Sequence, residues 1–250
     1  MSATALPTRA ALHAEWIKIR SLRGTLGSLV ATFAAVTGIQ MLTAAAIGTA
    51  EEGSMGSDPV FAAFYGLMFG QTAAIAFGAN AFSSEFHDNA LRITLTSVPH
   101  RTRFYLTKLL AVGGLALLVG EATAFATFFG GQAFMGPYAI GLGDEGALRA
   151  VVGCGLYLCL MSLFAAGLTA VFRSGTATLS LLIPFILVVS FVVGDVAGGA
   201  AQYLPDRAGQ MVMRVEPRGE LGPWTGLGVT ALWTLAALIG GWVAVRRRDA

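Results

Sequence analysis

The chain has 250 residues, 55% of them hydrophobic and only 12% charged, with a mean hydropathy of +0.70. Soluble proteins carry roughly twice that charge, so a water-soluble domain is excluded and an all-α integral membrane protein is expected, with no nucleic acid as partner. The net charge of +2 says little, but its distribution along the chain says a great deal.

The first residues do not read as a signal peptide, because Arg9, Lys18, Arg20 and Arg23 are spread through them with no apolar core before a cleavage site. Leu12, Trp16, Ile19 and Leu22 recur at helical spacing. This predicts an amphipathic helix over residues 8–24, lying in the interface plane with Trp16 in the apolar stripe and Lys18 and Arg20 toward headgroups. Glu15 falls within the stripe and needs a partner or an exposed rim.

A hydrocarbon core of about 30 Å requires about 20 apolar residues as helix. Six segments qualify: 26–47, 60–82, 109–134, 150–172, 176–194 and 224–245. Pro184 is expected to kink the fifth. Between the second and third lies SSEFHDNALRITLTSVPHRTRFYLTK, residues 83–108, too charged for hydrocarbon and expected in water. Its first part, 83–99, reads as a short helix capped by Ser83 or Ser84, favoured by Glu85 and Asp88 at its start, and stopped by Pro99. Phe86, Ala90 and Ile93 fall on one face and Leu91, Leu95 and Val98 on another, so this helix needs something to dock against. The connection 195–223 is too polar to span, and Tyr203, Leu204, Met211, Val212 and Met213 suggest short helices dipping into the outer leaflet, packed on protein.

The charges orient these segments. Expected inner segments hold 12 of the 16 Lys and Arg; expected outer ones hold nine of the 14 acidic residues. That is the positive-inside pattern, with both termini cytoplasmic.

Two polar residues fall at mid-membrane depth. Gln71 and Glu121 each lie roughly 16–18 Å into a core of about 30 Å, on consecutive antiparallel helices. An ionisable group there is expensive and faces a bundle interior or cavity. Two readings stay open: a pathway site, or a protonated Glu121 bonded to Gln71 as helix glue. Cys154 and Cys159 are about 140° apart around a helix, cannot bridge each other, and read as small apolar fillers. Two GxxxG matches, Gly66 to Gly70 and Gly194 to Gly198, are weak signals of helix contact in a chain with 32 glycines.

Several chemistries are missing from the sequence. There are only two lysines, Lys18 and Lys108, and neither follows glycine, so there is no GxxxxGK[ST] phosphate loop. There is no HExxH, and His13, His87 and His100 all fall in expected cytoplasmic segments, so no metal site is expected. Ser162 and other intramembrane hydroxyls have no His or Lys to activate them, so the chain is not expected to be an enzyme by itself.

Three separated stretches, AEWIKIRSLRGT, EF…ALRITLTSVPHRTRFYLTKLL and YLPDRAGQ, resemble in order and placement the permease subunits of bacterial ABC-2-type transporters, especially small six-span permeases encoded apart from their ATPase. The resemblance covers essentially the whole chain. It implies that 83–99 is the coupling helix that enters a groove on the ATP-binding subunit, with Glu85, Phe86, Asn89, Leu91, Arg92 and Leu95 as contacts. It implies an outer re-entrant element that includes Tyr203, Leu204, Pro205 and Gln210. Many relatives have Gly or a hydroxyl residue where this chain has Asn89 and Ala90, which departs from the pattern at the start of the coupling helix. The implied assembly is two permeases, identical or related, with two ATP-binding subunits that carry ATP and Mg, in the bacterial cell membrane. A proton-coupled carrier or channel with Glu121 as its coupling residue is the alternative class, and a non-transporting immunity or sensor protein a third. Few intramembrane charges lean toward an amphipathic or hydrophobic substrate moved outward.

Overall fold

The computed structural model describes residues 8–48, 58–86, 90, 94, 100–190, 192, 198–216 and 219–247. Helix is the only regular structure among those residues, with no strand. The elements are α1 (Thr8–Ser21), α2 (Arg23–Gly48), α3 (Pro59–Ala62), α4 (Leu67–Ser83) with a 3₁₀ turn Ser84–Phe86, α5 (Arg101–Gln132), α6 (Ala147–Phe172), α7 (Gly175–Pro184) running into a π-helical turn Phe185–Val189, α8 (Pro205–Gln210) between 3₁₀ turns Gly198–Tyr203 and Met211–Met213, and α9 (Pro223–Arg247).

Among the described residues, four helices are long and apolar enough to cross a membrane: Arg23–Ile47, Arg101–Gln132, Ala147–Phe172 and Pro223–Arg247. The other two expected spans correspond to shorter elements, α4 of 17 residues and the apolar run Gly175–Val188. The segment expected as one span over 60–82 is broken. Asp58 caps α3 by accepting from the Phe61 N–H at 3.0 Å, and the chain turns through residues 63–66 before α4 begins. Gln40 of α2 satisfies the groups this break frees, donating to Ala62 O at 3.1 Å and accepting from Gly66 N at 3.3 Å. Irregular backbone at depth requires such partners.

A second difference concerns the start of α5. The sequence sets 101–108 in an aqueous loop; the structure folds them as the first two turns of α5 and buries Phe104, Tyr105 and Lys108. Lys108, 1% exposed, leaves water because two carboxylates meet it.

Helix α6 is the centre, with 72% of its apolar window buried against 28% for each of the other three long helices. Its neighbours approach closely where side chains are small. A Cβ at Gly78 of α4 would land on the Ser162 carbonyl of α6. Gly66 and Gly70 play the same part against Val36 of α2, so that GxxxG match is a true helix contact. Interhelical hydrogen bonds add to this: Ser162 Oγ to Ala74 O at 2.9 Å, Thr234 Oγ1 to Leu160 O at 3.2 Å, and Tyr105 Oη to Leu238 O at 2.8 Å. Pro184, which cannot donate to the helix ladder, is followed at once by the π turn. Both cysteines are free, and Cys154 is fully buried.

The bundle has two distinct ends. One gathers α1, the turn Ser84–Phe86, the start of α5 and the end of α9, where Arg101 donates to Val245 O at 3.1 Å and Trp242 to Thr102 Oγ1 at 3.2 Å. Arg173, in left-handed conformation (φ 54°) at the end of α6, sets its guanidinium 5.9 Å from the Phe86 ring there. The opposite end gathers Asp58, Arg149 and the α8 region: Asp58 accepts from Val215 N at 3.0 Å, and Arg149 donates to Val212 O at 3.3 Å. The segments that charge assigns to the same side therefore sit together.

Candidate functional site

The first end holds a knot of four charges. Lys108 Nζ, on the second turn of α5, lies 2.8 Å from Glu85 Oε1 and 2.8 Å from Glu15 Oε2. The Glu85 contact is a hydrogen bond; the Glu15 contact is an ion pair without hydrogen-bond alignment, which leaves Glu15 Oε2 otherwise unpartnered. Lys18 Nζ reaches Glu85 Oε1 at 2.9 Å, Glu15 Oε1 at 3.3 Å and Thr94 Oγ1 at 3.1 Å. Thr94 in turn donates to Glu85 Oε2 at 3.1 Å. The knot uses both lysines of the chain and is neutral as a group. It joins α1, the segment after α4, and α5.

Burial is the largest influence on Glu85 and pushes its carboxyl up, but Lys108 and Lys18 together outweigh it and hold it below its ordinary 4.5. Burial likewise pushes Lys18 down, and Glu85 followed by Glu15 holds it above 10.5. Both groups are thereby kept charged. Isolated, a buried carboxylate costs several kcal/mol.

This arrangement revises the expected face of α1. Glu15 and Ile19 point inward, at 5% and 2% exposed, whereas Trp16 is 46% exposed. Pairing with Lys108 lets a carboxylate take the buried face in place of the tryptophan. Lys18 turns to the knot and Arg20 stays exposed. Glu85, placed by sequence among contacts for a partner, is 2% exposed and bonded internally. Phe86 is half-buried and packs on Phe82, ring centroids 5.9 Å apart. Asn89, Leu91, Arg92 and Leu95 lie outside the described residues.

The opposite end holds a cavity of about 450 Å³ between the start of α4, the π turn and α8. Gln71 and Gln210 form part of its wall, joined by Ser190, Asp206, Arg207 and Arg214. Gln71 is 2% exposed; it donates to Met68 O at 3.0 Å and accepts a short hydrogen bond from Tyr157 of α6. The helix-glue reading that joins Gln71 to Glu121 is thereby overturned. Glu121 sits half-buried on α5, its carboxyl against Gly155 of α6. Pro205, buried, starts α8, and Leu204 supplies the extended residue before it. Tyr203 is 44% exposed, and its carbonyl accepts from Trp233 Nε1 at 3.0 Å.

Asp206, within the quoted YLPDRAGQ stretch but absent from the expected site, is 4% exposed. Its Oδ2 accepts from Ser190 Oγ at 2.6 Å, and its own N–H and that of Arg207 also approach the carboxylate. Oδ1 is left buried without a partner of hydrogen-bonding geometry. Burial pushes this carboxyl above the ordinary range, with the Ser190 hydrogen bond partly opposing. A carboxylate at the start of a short helix looks in sequence like a simple cap, so nothing in its spacing marked it. Glu15, by contrast, carried a readable signal: a charge set within an apolar stripe. No protein-family model and no curated protein matches the chain.

Proposed function

We propose that this chain is the membrane-spanning permease subunit of an ATP-driven exporter of the ABC-2 type. In this reading it crosses the membrane six times with both termini in the cytoplasm, pairs with a second permease copy, and is driven by two separate ATP-binding subunits that carry ATP and Mg. The observation that carries the reading is the charge knot. It ties the segment after α4, the expected docking segment, to α1 and to the base of α5. A push on that segment would reach a helix that crosses the bilayer. A loop with no mechanical task has no need of two buried carboxylates and both lysines of the chain. The short helices around α8, packed on α6 and α9, support the re-entrant element. Glu85 serves in this reading as the anchor of the docking segment, and Phe86 belongs to its contact face.

The test is co-expression with a phosphate-loop ATPase encoded beside it. The expected result is a complex that co-purifies and an ATPase stimulated by the permease. Phe86→Ala should leave the permease in the membrane but cut that stimulation and transport together. An ATPase that neither co-purifies nor responds, with the permease folded and present, would refute the assignment.

A further inference from the structure

We infer that the outward face of α1 is a docking surface for the headgroups of anionic phospholipids. His13, Trp16, Ile17 and Arg20 follow one another at helical spacing on one side of α1, and all four are exposed. Glu15 and Ile19 take the opposite side and are buried. Arg23, at the start of α2, is exposed as well. The knot accounts for the bias of this face. Glu15 and Glu85 are the acidic side chains at this end among the described residues, and both are turned inward onto Lys18 and Lys108. Arg20 and Arg23 are left without a carboxylate: no ion pair among the described residues includes either. Their anion must come from outside the chain.

The depth of α1 decides between a lipid and a soluble protein. Helix α5 has 32 residues, roughly 48 Å of helix against a hydrocarbon core of about 30 Å. Its surplus is then roughly 9 Å at each end. Glu15 of α1 meets Lys108, which stands roughly 10 Å along α5 from Arg101. So α1 lies where headgroups give way to acyl chains, beside the spanning helices rather than beyond them. Its composition suits that level. Trp16 and Ile17, 46% and 53% exposed, set apolar surface between the cations, and exposed Leu26, Val30 and Phe33 continue the strip along α2. Tryptophan and arginine side by side match a boundary that is greasy below and charged above. Guanidinium pairs readily with phosphate. In a choline headgroup the quaternary ammonium offsets that phosphate; in a glycerol headgroup nothing does.

The surface needs no ATP-binding subunit, so its failure and that of the transporter reading are separable. The purified protein is equilibrated with equimolar phosphatidylglycerol and phosphatidylcholine, and retained lipids are counted by native mass spectrometry. Each arginine near an anionic headgroup is worth about a factor of five, so two give a preference for phosphatidylglycerol of about twentyfold. Arg20→Gln combined with Arg23→Gln should remove most of that preference. Arg20→Lys combined with Arg23→Lys, which keeps the charge, should keep most of it. Inorganic phosphate in excess should not displace the lipid, because the apolar part of the face holds the acyl chains. If the glutamine pair does not fold, the two lipids on the unaltered chain carry the test. Equal retention of the two lipids would overturn the inference. So would a folded glutamine pair that keeps the full preference, a folded lysine pair that loses it, or displacement by phosphate alone.

Discussion

Glu15, Lys18, Glu85 and Lys108 at one end of the bundle and Asp206 at the other are all charged groups withdrawn from water, and they are withdrawn in different ways. In the knot each carboxylate meets both lysines, two charges of each sign. Around Asp206 one oxygen is bonded to Ser190 and the other is buried without a hydrogen-bond partner. A closed network fixes the relative position of the segments it joins, because opening it strands a charge. An open one costs stability, because a buried acceptor goes unpaired. The difference teaches which charges lock segments together and which do not.

The sharpest way to break the comparison is Lys108→Met. It leaves Glu85 and Glu15 buried together with only Lys18, itself partly exposed, to serve both. Removing one partner of a buried pair costs about 3–5 kcal/mol, so a large drop in the thermal midpoint and loss of monodisperse protein in detergent are expected. Combining it with Glu15→Gln and Glu85→Gln should recover much of the loss, since no charge is then stranded. A single Lys108→Met as stable as wild type would mean that the knot is not closed.

Acid should open the same knot. Glu85 titrates lower folded than unfolded, so its contribution is fully present above 4.5 and is lost as pH falls through the depressed folded value. Lys18 titrates higher folded, so its contribution is present below 10.5 and is lost as pH rises through the elevated folded value. Between those limits both contributions should stay flat. Unfolding curves across pH should show a Glu85→Gln variant with a shallower acid limb; an unchanged limb would count against the pairing.

Asp206→Asn should cost far less than Lys108→Met, within about 1 kcal/mol, because Oδ1 has no hydrogen bond to lose and the Ser190 bond can persist. Midpoints for the two variants, measured side by side, test the distinction directly. Equal losses would make the outer site as structural as the knot.

Much of this layout was legible in the sequence, for a physical reason. Hydrophobic runs report burial in lipid, and four of them became long apolar helices, three within about three residues of the expected bounds and the third expected span, 109–134, beginning instead at Arg101. The short helices over Tyr203 and Met213 were readable because their apolar residues had to pack on something. Partnerships between distant charges were not. Lys108 looked like a loop residue because its partners lie 23 and 93 positions away. The break at 63–66 was hidden because what permits it, Gln40, lies on another helix. Tyr157, which takes Gln71 as its partner, looked like one more aromatic in an apolar run.

The smallest expected effect on stability is that of Glu121→Gln, and it sharpens the comparison by adding a third charged group of neither kind. Glu121 is not tied to Gln71, whose oxygen and nitrogen are taken by Tyr157 and by Met68 O. It rests half-buried against Gly155, where a Cβ would come 2.6 Å from its Oε1. A carboxylate at mid-membrane depth is penalised by about 2.5–3.5 kcal/mol on insertion scales, and neutral glutamine of the same shape escapes that penalty. With no bonded partner to strand, Glu121→Gln should fold and assemble with its midpoint within about 0.5 kcal/mol of wild type. On the proposed transporter reading its effect should fall on function: transport reduced, or substrate preference changed, at equal surface level with ATPase association intact. If the chain is instead a proton-coupled carrier, the same variant loses gradient-driven uptake and no ATP dependence is seen in either form. Wild-type transport by Glu121→Gln across several substrates would remove this residue from the pathway.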